Sequence, residues 1–272
     1  MLRIALLAAL SATALPAVAQ QNPVRVALPD ENSTDDIIVR ALRIPREKLP
    51  TRVYWNYNSI LTSRIVRENA EMFMQCALKE SNLDRVRAVV DGEPNSAKAR
   101  FAQGRISATN QGCYPPVRSV GLIQIAGPTS ANDLGVSRLD RGVIVESVLR
   151  SYAPDAQLTP AMTEDEEVRS RFRQREGLRN RMRLPDDRDA LVFASCLVRE
   201  QPVLATRLFH SEPGSPLERG LAQTIVVQGR SCVGTAKRVT IDPSLLRVYV
   251  MDAFYRWVVA ARDVDSLIPG EA

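Results

Sequence analysis

The chain has 272 residues, 45% hydrophobic and 25% charged. These values exclude a wholly disordered or fibrous protein and allow one large or two small domains. The formal net charge is +5, from 36 basic and 31 acidic residues, a balance that predicts no nucleic-acid partner.

Residues 1–19 read as a secretory signal peptide. Arg3 gives a short positive region, Ile4 to Leu15 an apolar core, and Ala17-Val18-Ala19 a small-x-small cleavage site before Gln20. The apolar run is too short to span a bilayer comfortably, and no later window is a transmembrane candidate. The expected location is therefore periplasmic or secreted. Residues 20–60 read as an extended or mobile N-terminal segment. Its Val53-Tyr54-Trp55 cluster is expected to wrap onto the unit that follows.

Residues 71–113 and 191–232 align as an internal repeat. Phe73 matches Phe193, Cys76 matches Cys196 and Glu93-Pro94 matches Glu212-Pro213 after one gap. Ser96, Arg100, Ile106 and Cys113 match Ser215, Arg219, Ile225 and Cys232. Further on, Arg141, Glu146 and Arg150 match Arg247, Asp252 and Arg256. Self-similarity of this kind signals repeated architecture. Four cysteines allow three connectivities, and a duplicated unit that carries its own bridge selects Cys76–Cys113 and Cys196–Cys232. Spacings far from C-x2-C, in an oxidising compartment, argue against zinc. The expected fold is all-α: two tandem disulfide-stapled helical units, residues 61–162 and 186–272, related by internal duplication.

Within the first unit, Ile65, Met72, Phe73, Cys76 and Ala77 suit one helical face. Ser96 and Ser215 are expected N-caps, with Pro216 at the first helical position. Ser137 is expected to cap a helix that turns Leu139, Val143, Ser147 and Val148 inward. Residues 163–185 read as a charged linker helix, opened by a Thr163/Glu166 capping box. Its arginines, from Arg169 to Arg183, surround a thin apolar seam of Val168, Phe172 and Met182. This pattern fits a solvated connecting helix with internal ion pairs. A basic arm for polyanions or lipopolysaccharide is the alternative. Last, Asp242 and Pro243 open a helix whose apolar face is Leu246, Val250, Phe254, Trp257 and Ala261.

Chemistry is sparse. Lysine occurs only at Lys48, Lys79, Lys98 and Lys237, and the other basic residues are arginine. No phosphate-binding or dinucleotide glycine fingerprint is present, and no cofactor or metal is expected. His210, the single histidine, stands beside Phe209 where the first unit has Val90. It reads as a surface or partly buried side chain.

Glu80-Ser81 at a helix end, with Gly121-Leu122-Ile123-Gln124-Ile125 further on, resembles the Glu-Ser and Gly-Leu-Met-Gln-Ile motifs of lytic transglycosylases. The resemblance covers about ten residues and implies peptidoglycan cleavage, with Glu80 as acid and Ser81 and Gln124 lining the site. A lone carboxylic acid serves such chemistry when burial raises its pKa. The two motifs stand farther apart than in that family. Glu200 also takes the place of Glu80 in the second unit without a following serine. The expectation is therefore a non-catalytic binding or envelope-associated protein, with an envelope protein or peptidoglycan as partner and the transglycosylase as the enzyme alternative.

Overall fold

In the computed structural model of the chain, the residues described are 53–55, 71–78, 83–113, 138–233 and 239–270. They are mostly helical, and both expected bridges are present, Cys76 to Cys113 and Cys196 to Cys232. Helix α1 covers 71–78, α2 Leu83–Val90, α3 Ala97–Thr109, α4 Arg138–Tyr152 and α5 Pro160–Glu164. Then follow α6 Glu166–Arg179, α7 Pro185–Glu200, α8 Pro202–His210, α9 Pro216–Gln228 and α10 Pro243–Arg262. One departure from an all-helical chain is a parallel pair of three-residue strands, β1 Val53–Trp55 and β2 Val239–Ile241. The Val-Tyr-Trp segment thus pairs with the second unit, not with the first as the sequence suggested. Backbone hydrogen bonding decides this, and apolar content alone does not specify a partner.

The turn between α2 and α3 and the turn between α8 and α9 share their backbone geometry. Asn95 and Gly214 both lie in the left-handed region, with φ of 66° and 79°. Glycine and asparagine are the residues that tolerate it. Ser96 and Ser215 then cap their helices, each accepting from the amide three residues on, Ala99 and Glu218. Both helices end in a 3-10 turn that carries the second cysteine of the bridge, Gln111–Cys113 and Arg230–Val233. Packing corresponds as well: α2 lies on α3 and α4, and α8 lies on α9 and α10. Counted back from Asn95 and Gly214, the position of Val90 is that of Phe209, and not of His210 as the sequence alignment expected.

The long helices α4 and α10 cross at Gly142. A Cβ there would lie 2.2 Å from Val248 Cγ1, so the close approach requires glycine. α10 also packs on α6, α7 and α8. It is therefore buried all round, and not on one face as its apolar spacing predicted. The buried residues from Phe73 to Ile268 form one continuous cluster that draws on both units.

Two local expectations change. Met72 points to solvent, and Phe73, Met74 and Ala77 carry the burial in α1. Thr163 does not open the charged helix. Its hydroxyl lies inside α5 and donates to the Arg199 carbonyl at 3.0 Å, and Asp165 caps α6 by accepting from Val168 N–H at 2.9 Å. Asp165 was the better cap because a charged carboxylate at a helix start also opposes the macrodipole. Ser137 lies outside the described residues.

Candidate functional site

Glu80, Ser81 and Gln124, the residues of the transglycosylase resemblance, lie outside the described residues. Glu200, the counterpart of Glu80, is exposed and pairs with Arg199 at 2.6 Å. His210 is exposed too; its Nε2 lies 3.2 Å from the Ala156 carbonyl and its ring leans on Phe209. Among the described residues no group of histidine, cysteine and carboxylate side chains could hold a metal ion.

Most of the arginines from Arg169 to Arg183 are engaged with the body of the molecule, Arg169 and Arg173 excepted. Arg171 donates to the Ala260 carbonyl at 2.9 Å and Arg175 donates to that of Val264. Arg179 is buried and donates to the Gly92 and Val90 carbonyls, at 2.8 and 2.6 Å. Arg169 and Arg173 pair with Glu166, and Arg181 with Glu93. Buried Val168 and half-buried Phe172 form the inner seam, with Phe172 stacked on Trp257 at 4.2 Å. Met182 of the predicted seam is exposed.

Charged groups fill the centre of the fold. The Arg247 side chain is 0% exposed and forks onto Glu146, with Nη2 to Oε1 at 2.6 Å and Nε to Oε2 at 3.1 Å. Its remaining donors reach the Leu208 carbonyl at 3.0 Å and Ser211 Oγ at 3.2 Å. Arg150 approaches Glu146 from the next turn at 2.8 Å. The second centre is Asp252, which accepts from Arg183 at 2.7 Å and Arg256 at 3.1 Å, with Arg141 3.9 Å away. Asp187 ties in by accepting from Arg141, Arg183 and the Tyr249 hydroxyl, at 3.0, 3.1 and 2.8 Å.

The pairing is reciprocal. Arg247 on α10 reaches Glu146 on α4, and Arg141 on α4 faces Asp252 on α10. Arg150 donates to the Phe209 carbonyl of the second unit, and Arg256 to the corresponding Val90 carbonyl of the first.

Burial alone would raise these carboxyls. For Asp252 the surrounding guanidiniums of Arg183, Arg256, Arg179 and Arg141 outweigh it and hold the group well below the ordinary range. Glu146 is lowered against its burial by Arg247 and Arg150, and Asp187 by Arg141 and Arg183. Burial and the adjacent Asp187 push the Tyr249 hydroxyl up to about 12. Burial and Asp91 do the same for Tyr255, also to about 12. These groups are saturated by protein partners and hold structure; no nucleophile with an adjacent base stands among them.

A cleft of about 260 Å³ lies between α6 and α7 over Trp257. α6 presents Arg169, Phe172, Arg173 and Glu176, and α7 presents Leu191, Val192, Ser195 and Arg199. On each helix these positions share one face at three- and four-residue spacing. Phe172 lies flat on Trp257, with ring planes 12° apart, and Cys196 of the second bridge adds to the apolar floor. Trp257 is fixed by its indole N–H, which donates to the Ser195 carbonyl at 3.3 Å. Glu176 is turned aside: its carboxylate accepts from Asn180 at 2.6 Å and from Arg179 at 3.5 Å. An apolar floor with a few polar groups at its margin is the usual make-up of a small-molecule site. The sequence marked Phe172 only as part of a thin seam on a solvated linker helix and Trp257 as part of an apolar helix face, because nothing local brings α6 to α10.

The chain matches no known protein-family model, and no curated protein or solved structure resembles it.

Proposed function

We propose that this protein is a non-catalytic binding protein of the periplasm, associated with the envelope and built from two units that descend from one duplicated sequence. The observation that carries the binding role is the apolar cleft over Phe172 and Trp257. The location rests on residues 1–19 as a signal peptide, with the two disulfides in keeping with an oxidising space. No helix among the described residues is long and apolar enough to cross a membrane. Duplication is supported by the matched turns, caps and bridges, and most by the reciprocal ion pairs. Independent convergence would have to place Arg247 on Glu146 and Arg141 by Asp252 at corresponding positions. Segment 163–185 then acts as a strut between the units, most of its arginines bonded to the body.

The test pairs binding with turnover. Anilinonaphthalene sulfonate, an aromatic anion, should bind the native protein at one saturable site with energy transfer from Trp257, and Val192→Arg should block it. Purified protein should release no soluble fragments from peptidoglycan. Muropeptide release that Glu80→Gln abolishes would establish the enzyme instead, and absence of saturable dye binding would remove the cleft as a site.

A further inference from the structure

The margin of this cleft specifies more than an apolar guest. Arg169 and Arg173 stand one turn apart on α6, and Arg199 faces them from α7. Three arginines therefore border a cleft whose apolar lining is exposed Val192 and half-buried Phe172, over buried Leu191 and Trp257. Their present partners are weak competitors: Glu166 serves both Arg169 and Arg173, Glu200 serves Arg199, and both carboxylates are in contact with solvent. Exposed ion pairs of this kind contribute little. A guanidinium can exchange such a partner for a fork onto an incoming carboxylate whose body is held by apolar contact. The cleft carboxylate, Glu176, is occupied by Asn180 and Arg179, so it offers no free charge to a cation. The arginine margin repels a cationic guest as well.

Size narrows the class. A volume of about 260 Å³ falls just below the roughly 300–1,000 Å³ that drug-sized ligands occupy. The volume matches one medium-length acyl chain or one aromatic ring. Resting on the binding role proposed above, we infer that the ligand is a small amphipathic monoanion. Specifically, it is a medium-chain carboxylic acid, with its chain over Phe172 and Trp257 and its carboxylate among Arg169, Arg173 and Arg199.

The experiment is a fluorescence titration of the full mature chain in a Trp55→Phe background, which leaves Trp257 as the reporter. Decanoate should change the signal saturably, while decanol binds at least tenfold more weakly and acetate does not bind. Arg199→Ala, and Arg169→Ala with Arg173→Ala, should each weaken decanoate about tenfold, the loss expected of one charge-assisted hydrogen bond, and leave decanol unchanged. These side chains are partly exposed, so the variants should fold; Arg181→Ala, outside the cleft, controls for general loss of charge. Equal affinity for decanol and decanoate would overturn the anionic ligand class and leave the apolar site intact. Failure of every probe, the dye included, would overturn the site itself. Decanoate binding insensitive to all three arginines would also overturn the assignment.

Discussion

At the scale of single residues, the structure is governed by charge in places where charge is costly. Removing two ions from water costs several kcal/mol per ion, and pairing recovers it only when geometry and hydrogen bonds are complete. Around Arg247 they are complete, so the danger lies in removing one partner. Glu146→Gln should leave buried Arg247 with only the more distant Glu218 carboxylate, 3.4 Å away, and destabilise the fold by about 3 kcal/mol, measurable as a lower urea midpoint. An Arg247→Met, Glu146→Leu pair should lose less than the sum of the two single changes, because the two groups interact directly. The same groups set the pH response. Glu146, Asp187 and Asp252 have folded pKa values below their ordinary 4.5 and 3.8. Their contribution is complete above those values and is lost as pH falls through the folded ones, so unfolding by acid should begin below about pH 4. The tyrosines act at the other end. Tyr249 and Tyr255 move from 10.0 to about 12. Their contribution is complete below pH 10 and fades as pH rises toward 12. Denaturation midpoints measured from pH 2 to 12 should show a plateau between these two limits. A midpoint unchanged down to pH 2 would mean that the network contributes nothing.

At the scale of elements, the helices are legible in the sequence to the extent that their ends carry local chemistry. Ser96, Ser215 with Pro216, and Asp242 are caps whose oxygens meet amides three residues away, so three or four residues contain the whole signal. The bridges were legible for another reason: repeated cysteine spacing is a chain-level pattern independent of packing. The surroundings of α10 were not legible. Periodicity marks one apolar face, but Arg247, Asp252 and Arg256 on its other sides are buried too, against α4, α7 and α8. Only the repeat hinted at this, by matching those three residues to Arg141, Glu146 and Arg150. The cleft was invisible for the same reason, since its floor joins Phe172 to Trp257 across a long stretch of chain. The crossing of α4 and α10 gives the element-scale prediction. Gly142→Ala places a methyl against Val248 and should cost about 1–3 kcal/mol through overpacking. Val248→Ala removes Cγ1 and Cγ2, two of the three atoms in the way, so the double variant should recover part of the loss. If Gly142→Ala is neutral, α4 and α10 do not approach as closely as described.

At the scale of the whole molecule, the question is whether the two units unfold separately. Separate units would each need a core of their own, with few bonds across the seam. Here the apolar cluster is continuous from Phe73 to Ile268, and the strongest polar contacts join the units, Arg247 to Glu146 and Arg256 to the Val90 carbonyl. Arg179 on α6 adds two more, to the Val90 and Gly92 carbonyls at the end of α2 and just after it. Opening the second unit alone would take Arg247 from Glu146, leaving it Arg150, and Arg256 from the Val90 carbonyl, leaving it Arg179. The chain should therefore unfold in one transition, with Trp257 fluorescence and far-ultraviolet circular dichroism giving coincident urea curves. The staples sharpen the test. Each bridge closes a loop of nearly forty residues and contributes about 4 kcal/mol in the chain-entropy model. Replacing Cys196 and Cys232 by serine weakens the second unit in the first instance. With coupled units, that variant should shift the whole curve to lower urea and keep the two probes superimposed, and amides of α3 should lose exchange protection together with those of α9. If α3 instead keeps its protection while α9 loses it, the units are separate domains, and the buried charges between them hold two folded bodies together without making them one.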